Sequence, residues 1–249
     1  MSQKHADKII IPKYGLMKQI LLYIYITLNT LDISAQSVPE MSNWVARTIV
    51  CDSLVKAYGL DSCFVAEPIS DRIFARMKGK SWKKDCTLRR DELRYIRLLH
   101  RNARDENQMG EMIVNRKVAA DVVYIFRKLY EANYPIELIT LIDEFDADDE
   151  TSMEANNTSC FNFRFITGSH SQISNHGKGC AIDLNPLYNP YVKGNKVSPA
   201  NGVMYAHNRD ASAPYIITRS DLAYRLFRER GWRWGGSYQS LKDYQHFEK

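Results

Sequence analysis

Cysteine is scarce in this chain. Five are present, at positions 51, 63, 86, 160 and 180, and none stands in a C-x-x-C pair, which counts against a zinc site built from cysteines. An odd number excludes a complete set of internal disulfides; a pairing within the group 51, 63 and 86 and another between 160 and 180 stay open. Excess charge of one sign is also lacking. There are 34 basic against 29 acidic residues, and the surplus of +5 falls to +3 without the first 35 residues. So small a surplus predicts no nucleic-acid footprint, which needs a clustered basic face. No apolar run reaches the roughly 20 residues that cross a bilayer, and neither internal repeats nor low-complexity segments occur.

What is there is the balance of a globular protein. Hydrophobic residues make up 45% and charged residues 25% of 249, enough apolar material for one core and too much for disorder, collagen or coiled coil. The length favours one domain with a small appendage. Residues 1–35 read as an export signal: Lys18, the apolar stretch 20–28, then polar residues ending in Ser34-Ala35, a small residue where cleavage can occur. Met17 offers a second start, and the alternative to a signal is an amphipathic or buried helix. With no cysteine just after the stretch, a lipoprotein anchor is not indicated. The expected address is periplasmic or extracellular, with no stable membrane anchor after cleavage.

Residues 36–68 read as a linker or small helical cap, and residues 69–249 as the functional domain. Ser70 before Asp71 opens a short helix carrying Ile73, Phe74 and Met77. Residues 93–100 alternate Leu93, Tyr95, Arg97 and Leu99 as a strand does, with helix left open by the charged neighbours. Val118, Val122, Phe126 and Leu129 predict a helix over 115–130. Residues 136–142 read as a buried strand after Pro135. Six of the eight residues 143–150 are acidic, which predicts a solvated surface loop; the EF-hand spacing and its glycine, which calcium would need, are missing. A last helix is expected near 221–230, capped by Asp221 and ended by Gly231.

The chemistry concentrates in the last hundred residues. His176 and Asp183 stand seven apart with Gly177 and Gly179 between them, so the backbone can turn before a short strand and bring both side chains to one point. Far downstream, Asp243 and His246 stand three apart. A nitrogen from each histidine and an oxygen from Asp183 make the three-ligand set of catalytic zinc, leaving a fourth position for water. A further acid, Asp243, could take that water's proton.

Ser174-x-His176-x-x-Gly179-x-Ala181-x-Asp183, then Gly231-Trp232-x-Trp234-Gly235-Gly236, then Asp243-x-x-His246, resembles the zinc peptidases of bacterial cell walls. That family includes the D-alanyl-D-alanine carboxypeptidases and dipeptidases of vancomycin resistance and the L-alanyl-D-glutamate endolysins of phages. The resemblance spans roughly residues 136–249. Residues 156–164 and 110–115 are similar to a subgroup of exported bacterial members. The resemblance implies that His176, Asp183 and His246 bind Zn2+, that Asp243 is the general base, and that Arg164 holds the scissile carbonyl oxygen as it becomes negative; the alternative for Arg164 is a surface salt bridge. It implies an α+β fold, a small antiparallel sheet carrying the zinc site and packed by helices, like Hedgehog and D,D-peptidase domains. It also implies a peptidoglycan stem peptide as substrate, cut at or near D-alanine. An L-alanyl-D-glutamate or D,D-dipeptide cut is the alternative among enzymes, and a zinc-bearing cell-wall binding module without turnover is the alternative of another class.

Strand parity adds expectations. With Asp183 toward the metal, Ala181 shares its face and Cys180 and Ile182 point away. The same alternation puts Asn162 and Cys160 on Arg164's side, so a disulfide from Cys160 to Cys180 would have to cross the sheet. Ser174 and Trp234 are candidate substrate contacts, with a core tryptophan before a turn as the alternative for Trp234. Residues 188–191 read as a rim loop, and His170 and His207 as incidental. Oligomeric state is not legible.

Overall fold

The computed structural model describes residue 41 and residues 43–249 apart from 167, 170, 208 and 211; the expected export segment 1–35 and His170 lie outside the described residues. Residues Trp44–Lys249 form one compact unit. Its elements in chain order are β1 (Ile49–Val50), α1 (Asp52–Tyr58), β2 (Val65–Glu67), α2 (Asp71–Met77), β3 (Leu93–Arg101), β4 (Asn107–Asn115), α3 (Ala119–Glu131), α4 (Asp149–Glu154), β5 (Ala181–Asp183), β6 (Tyr191–Lys193), β7 (Lys196–Ser198), α5 (Val203–His207), α6 (Leu222–Glu229), β8 (Arg233–Trp234), β9 (Lys242–Asp243) and β10 (His246–Glu248). This is the α+β class that the sequence predicts.

The long hairpin of β3 and β4 is the scaffold. It pairs from Leu93 against Asn115 to Arg101 against Asn107, and β1 and β2 flank it in the order β1-β4-β3-β2. Residues 44–68, read from the sequence as linker or helical cap, thus supply α1 and both outer strands of this sheet. Helix α3 packs across β3, burying Val122, Ile125, Phe126 and Leu129; removing one such side chain from water is worth about 1.5–3 kcal/mol. The helix starts at Ala119 rather than 115 because Asn115 is still the last residue of β4. Its side chain turns the backbone by accepting from the Lys117 amide at 3.0 Å. Helix α6 lies on α3 and has the predicted cap, Asp221 accepting from the Ala223 amide at 2.8 Å.

Two expected elements come out differently. Residues 136–141 are largely buried but form only one isolated bridge, Leu138 to Asn157, because the side chain of Asn157 fills the ladder position by accepting from the Thr140 amide. Residues 143–150 are not simply solvated: Asp143 is buried and accepts from the Ser81 amide at 2.9 Å. Glu144 pairs with Arg76, Asp146 with Lys80 and Asp149 with Arg164, and the segment runs into α4. The acids are consumed as partners, which ties this segment to α2 and to the wall of a cleft.

One buried histidine escaped the sequence reading. His100 on β3 is fully buried, its Nδ1 2.6 Å from the Ile136 carbonyl oxygen, and burial pushes it down to about 4. Its folded value lies below the unfolded one, so the unfolded chain binds the extra proton and stability drops as pH falls from about 6.5 to about 4. We expect urea unfolding of His100→Gln to show a smaller loss between pH 7 and pH 4 than the wild type, by on the order of 3 kcal/mol. An unchanged pH dependence would rule His100 out as its source.

Candidate metal centre and cleft

Three short strands, β5-β10-β8, make the sheet that carries the site. Asp183 and His246 face each other directly across the β5–β10 pair, so their side chains share one face. Phe247 points the other way and stacks on Phe227 of α6 at 4.1 Å between ring centroids, fixing the strand to the core. His176 arrives from a loop whose turns are closed locally: Ser174 Oγ accepts from the Gly177 amide at 2.9 Å, and the Gly179 amide donates to His176 O at 2.9 Å. Gly179 has φ +69, and a Cβ there would lie 2.7 Å from the Asn115 nitrogen. Only glycine meets both demands, and in return the Asn115 amide donates to the Gly179 carbonyl at 2.8 Å, docking the loop on the scaffold hairpin.

These elements bring three ligand atoms together. His176 Nε2 lies 3.1 Å from Asp183 Oδ2, His246 Nδ1 lies 3.0 Å from Asp183 Oδ1, and the two nitrogens are 3.2 Å apart. A tetrahedral ion with bonds of about 2.0–2.2 Å separates its ligands by about 3.3–3.6 Å. Opening the triangle by a few tenths of an ångström therefore seats an ion, and His176, Asp183 and His246 are the set able to hold a metal among the described residues. The outer nitrogens are anchored as well: His176 Nδ1 is 2.7 Å from the Cys160 carbonyl oxygen and His246 Nε2 is 3.3 Å from Glu248 Oε2. Such outer partners fix which nitrogen of each ring faces the ion.

The electrostatics follow from crowding. Burial alone would raise the Asp183 carboxyl, but the two imidazoles reverse this and hold it well below the usual carboxylate range. Burial would likewise lower His246, yet Asp183 and Glu248 outweigh it and push the ring up to about 10. The hydrogen bond from His246, against some burial, and those from Tyr238 and Asn175 bring Glu248 down to about 2. Asp243, on β9, is pushed up to about 6, by burial first and by the Asp183 charge in addition.

A cleft of about 650 Å³ opens on this cluster, and Asp243, Arg164 and Ser174 line it with the three ligands. Asp243 Oδ1 is shielded from solvent and has no hydrogen-bond partner. Gly235 allows its approach, since a Cβ there would stand 2.6 Å from the Asp243 carbonyl oxygen. Arg164 reaches the cleft but pairs with Asp149 at 3.2 Å, so the guanidinium is both a cleft wall and a salt bridge. Tyr191 from the expected rim loop lines the cleft, whereas Asn189 is fully buried and bonds Arg209.

Two expectations need correction. Trp234 is not a cleft residue: it is 6% exposed, its Nε1 donates to the Tyr244 carbonyl at 2.8 Å, and its ring packs edge-on against Tyr224. It braces the turn that delivers β9. Cys160 is not on the metal side either. Ser159, not Cys160, pairs with Asp183, which turns the buried Cys160 thiol toward the Cys180 side; all five cysteines are free thiols. Asn162 does face the cleft, donating to Asp149 at 2.9 Å.

Sequence reasoning missed Glu248. The signal was present: His246-Phe247-Glu248 alternates polar, aromatic, polar, which in a strand puts histidine and glutamate on one face.

Because Asp183 and Glu248 hold a proton on the His246 ring, that proton must leave before Nδ1 can ligate. We expect calorimetric titration with zinc in buffers of differing ionisation enthalpy to report release of about one proton per ion, and the apparent Kd to tighten about tenfold per pH unit between pH 7 and pH 9. A pH-independent Kd would contradict this protonation state.

No curated protein and no solved structure matches the chain. A family model does: residues 167–249 match the family described as D-alanyl-D-alanine carboxypeptidase. The match begins just before the loop bearing His176 and takes in Asp183, Asp243 and His246. The part of the chain that brings His176, Asp183 and His246 together, residues 167–249, is therefore similar to the D-alanyl-D-alanine carboxypeptidase family.

Proposed function

We propose that the protein is an exported zinc D,D-carboxypeptidase that removes the terminal D-alanine from peptidoglycan stem peptides. The observation that carries the reading is the Asp243 carboxyl, which lines the cleft together with His176, Asp183 and His246 and keeps one oxygen, Oδ1, without a hydrogen-bond partner. A site that only held a metal would have no use for a further carboxyl with an oxygen left unpaired.

His176 Nε2, Asp183 and His246 Nδ1 would hold zinc, whose two-nitrogen, one-oxygen donor set is that of catalytic centres with an open position. Zinc bound there supplies Lewis acidity, making water more acidic and polarising the scissile carbonyl. The Asp243 carboxylate takes the proton of the attacking water and returns it to the departing amine nitrogen, as general base and then general acid. Arg164, released from or shared with Asp149, donates to the carbonyl oxygen as negative charge develops on it. Asp183 stays ionised through the cycle because both imidazoles hold it so. The export segment would set this chemistry beside the wall that contains the substrate.

Mass spectrometry of purified muropeptides incubated with zinc-loaded protein tests the reading, with a chelated sample as control. The expected result is loss of one terminal D-alanine from pentapeptides, absent after chelation. Asp243→Ala should lower kcat by about 10²–10⁴ while still binding zinc. Arg164→Ala should cost about 10²–10³. Activity should fall as the medium is acidified through the range at and below about 6, since the base works only as carboxylate. A cut between L-alanine and D-glutamate would move the assignment to an endopeptidase. Intact muropeptides with zinc bound would leave a cell-wall binding module.

A further inference from the structure

Glu248 sits at a point where three hydrogen bonds and an ion pair converge. Its Oε1 accepts from the Tyr238 hydroxyl at 2.7 Å and pairs with Arg233 Nη2 at 2.8 Å. Its Oε2 takes the side-chain amide of Asn175 and lies 3.3 Å from His246 Nε2. A carboxylate offers about four acceptor positions, and three hydrogen bonds and a guanidinium engage both oxygens of this one. Although it lines the same cleft as Asp243, it differs in kind. Asp243 has an oxygen without a hydrogen-bond partner, whereas both oxygens of Glu248 are engaged.

The donors also come from separate places in the fold. Asn175 is the neighbour of His176 on its loop, Arg233 belongs to β8, Tyr238 follows the Gly235–Ser237 turn, and His246 is on β10 with Glu248 itself. One carboxylate therefore ties the loop that delivers the first histidine to the strand that delivers the second. An imidazole can donate from one nitrogen and ligate through the other, and an acceptor at Nε2 settles which does which.

Resting on the metal-site reading above, we propose that Glu248 is a positioning residue: it holds the Nε2–H of His246 so that Nδ1 faces the ion, and through Asn175 it sets the distance between the two histidines. It takes no part in proton transfer to the substrate.

Two measurements test this. The first is the long-range 1H–15N spectrum of the zinc-loaded wild type, in which the His246 ring should carry its proton on Nε2 and ligate through Nδ1. The second is the zinc Kd by chelator competition for Glu248→Gln, which keeps the shape but offers one acceptor oxygen to four donors. That Kd should weaken about 10–100-fold, while the thermal midpoint of the metal-free protein stays within a few degrees of wild type. A His246 that ligates through Nε2 overturns the proposal, as does a folded Glu248→Gln protein whose Kd stays within threefold. Should the variant not fold, the wild-type spectrum decides alone. A wild type that binds no zinc sinks the metal-site reading and this inference together, whereas zinc binding with an unaffected variant sinks only the inference.

Discussion

Asp183 is an ionised carboxylate almost out of reach of water, and such a group persists only where cations or strong donors surround it. The whole site can be read as the answer to that requirement. Two imidazoles meet the carboxylate at 3.0 and 3.1 Å, and each needs a partner on its far side, which the Cys160 carbonyl and Glu248 provide. Glu248 in turn is a second buried charge, and it recruits Tyr238, Arg233 and Asn175. The demand for compensation spreads outward until it reaches groups that water can solvate, such as the exposed Arg233 side chain.

This requirement explains the division of labour between the sheets. The β3–β4 hairpin carries little of the chemistry, yet Asn115 at its end grips Gly179 and Lys178, and Ile113 accepts from the Phe161 amide at 3.1 Å. Both segments that hold His176, its own loop and the strip around Cys160, are thereby hung from one rigid hairpin. Helix α6 does the same for β10 through Phe227 and Phe247. Ligand atoms within a few tenths of an ångström of their working places need such support, because each is otherwise on a loop or on a strand of three residues.

How much of this was legible in the sequence follows the physics. The candidate ligands were readable because His176, Asp183 and His246 stand in a motif that resembles a known family; their spacing alone is a weak signal, since a histidine in a folded domain more often serves as a structural hydrogen-bonding group. The short helices at Ser70 and Asp221 were readable because caps are local. The outer strands β1 and β2 were not: Ile49–Val50 and Val65–Glu67 are too short to show a period, and only the neighbouring hairpin makes them strands. The acidic run 143–150 misled for the complementary reason, since charge in a sequence does not reveal its partners, and Arg76, Lys80 and Arg164 are 15 to 68 residues away. Trp234 was ambiguous until its indole nitrogen could be seen to serve the Tyr244 carbonyl.

Part of the wall of the cleft comes from another piece of chain. Strands β6 and β7 belong to a separate three-stranded sheet with β9, and they contribute Tyr191, Lys196 and Ser198 to the cleft without touching the β5–β10 ladder. Only β9, with Asp243, is common to that sheet and to the reacting centre. Evolution can thus alter the hairpin between Tyr191 and Ser198, exchanging charge or bulk at its tip, while leaving the ligand triangle and its buried compensation intact. Divergence among such proteins in the peptides they accept has a natural seat there, and the metal centre has every reason to stand still.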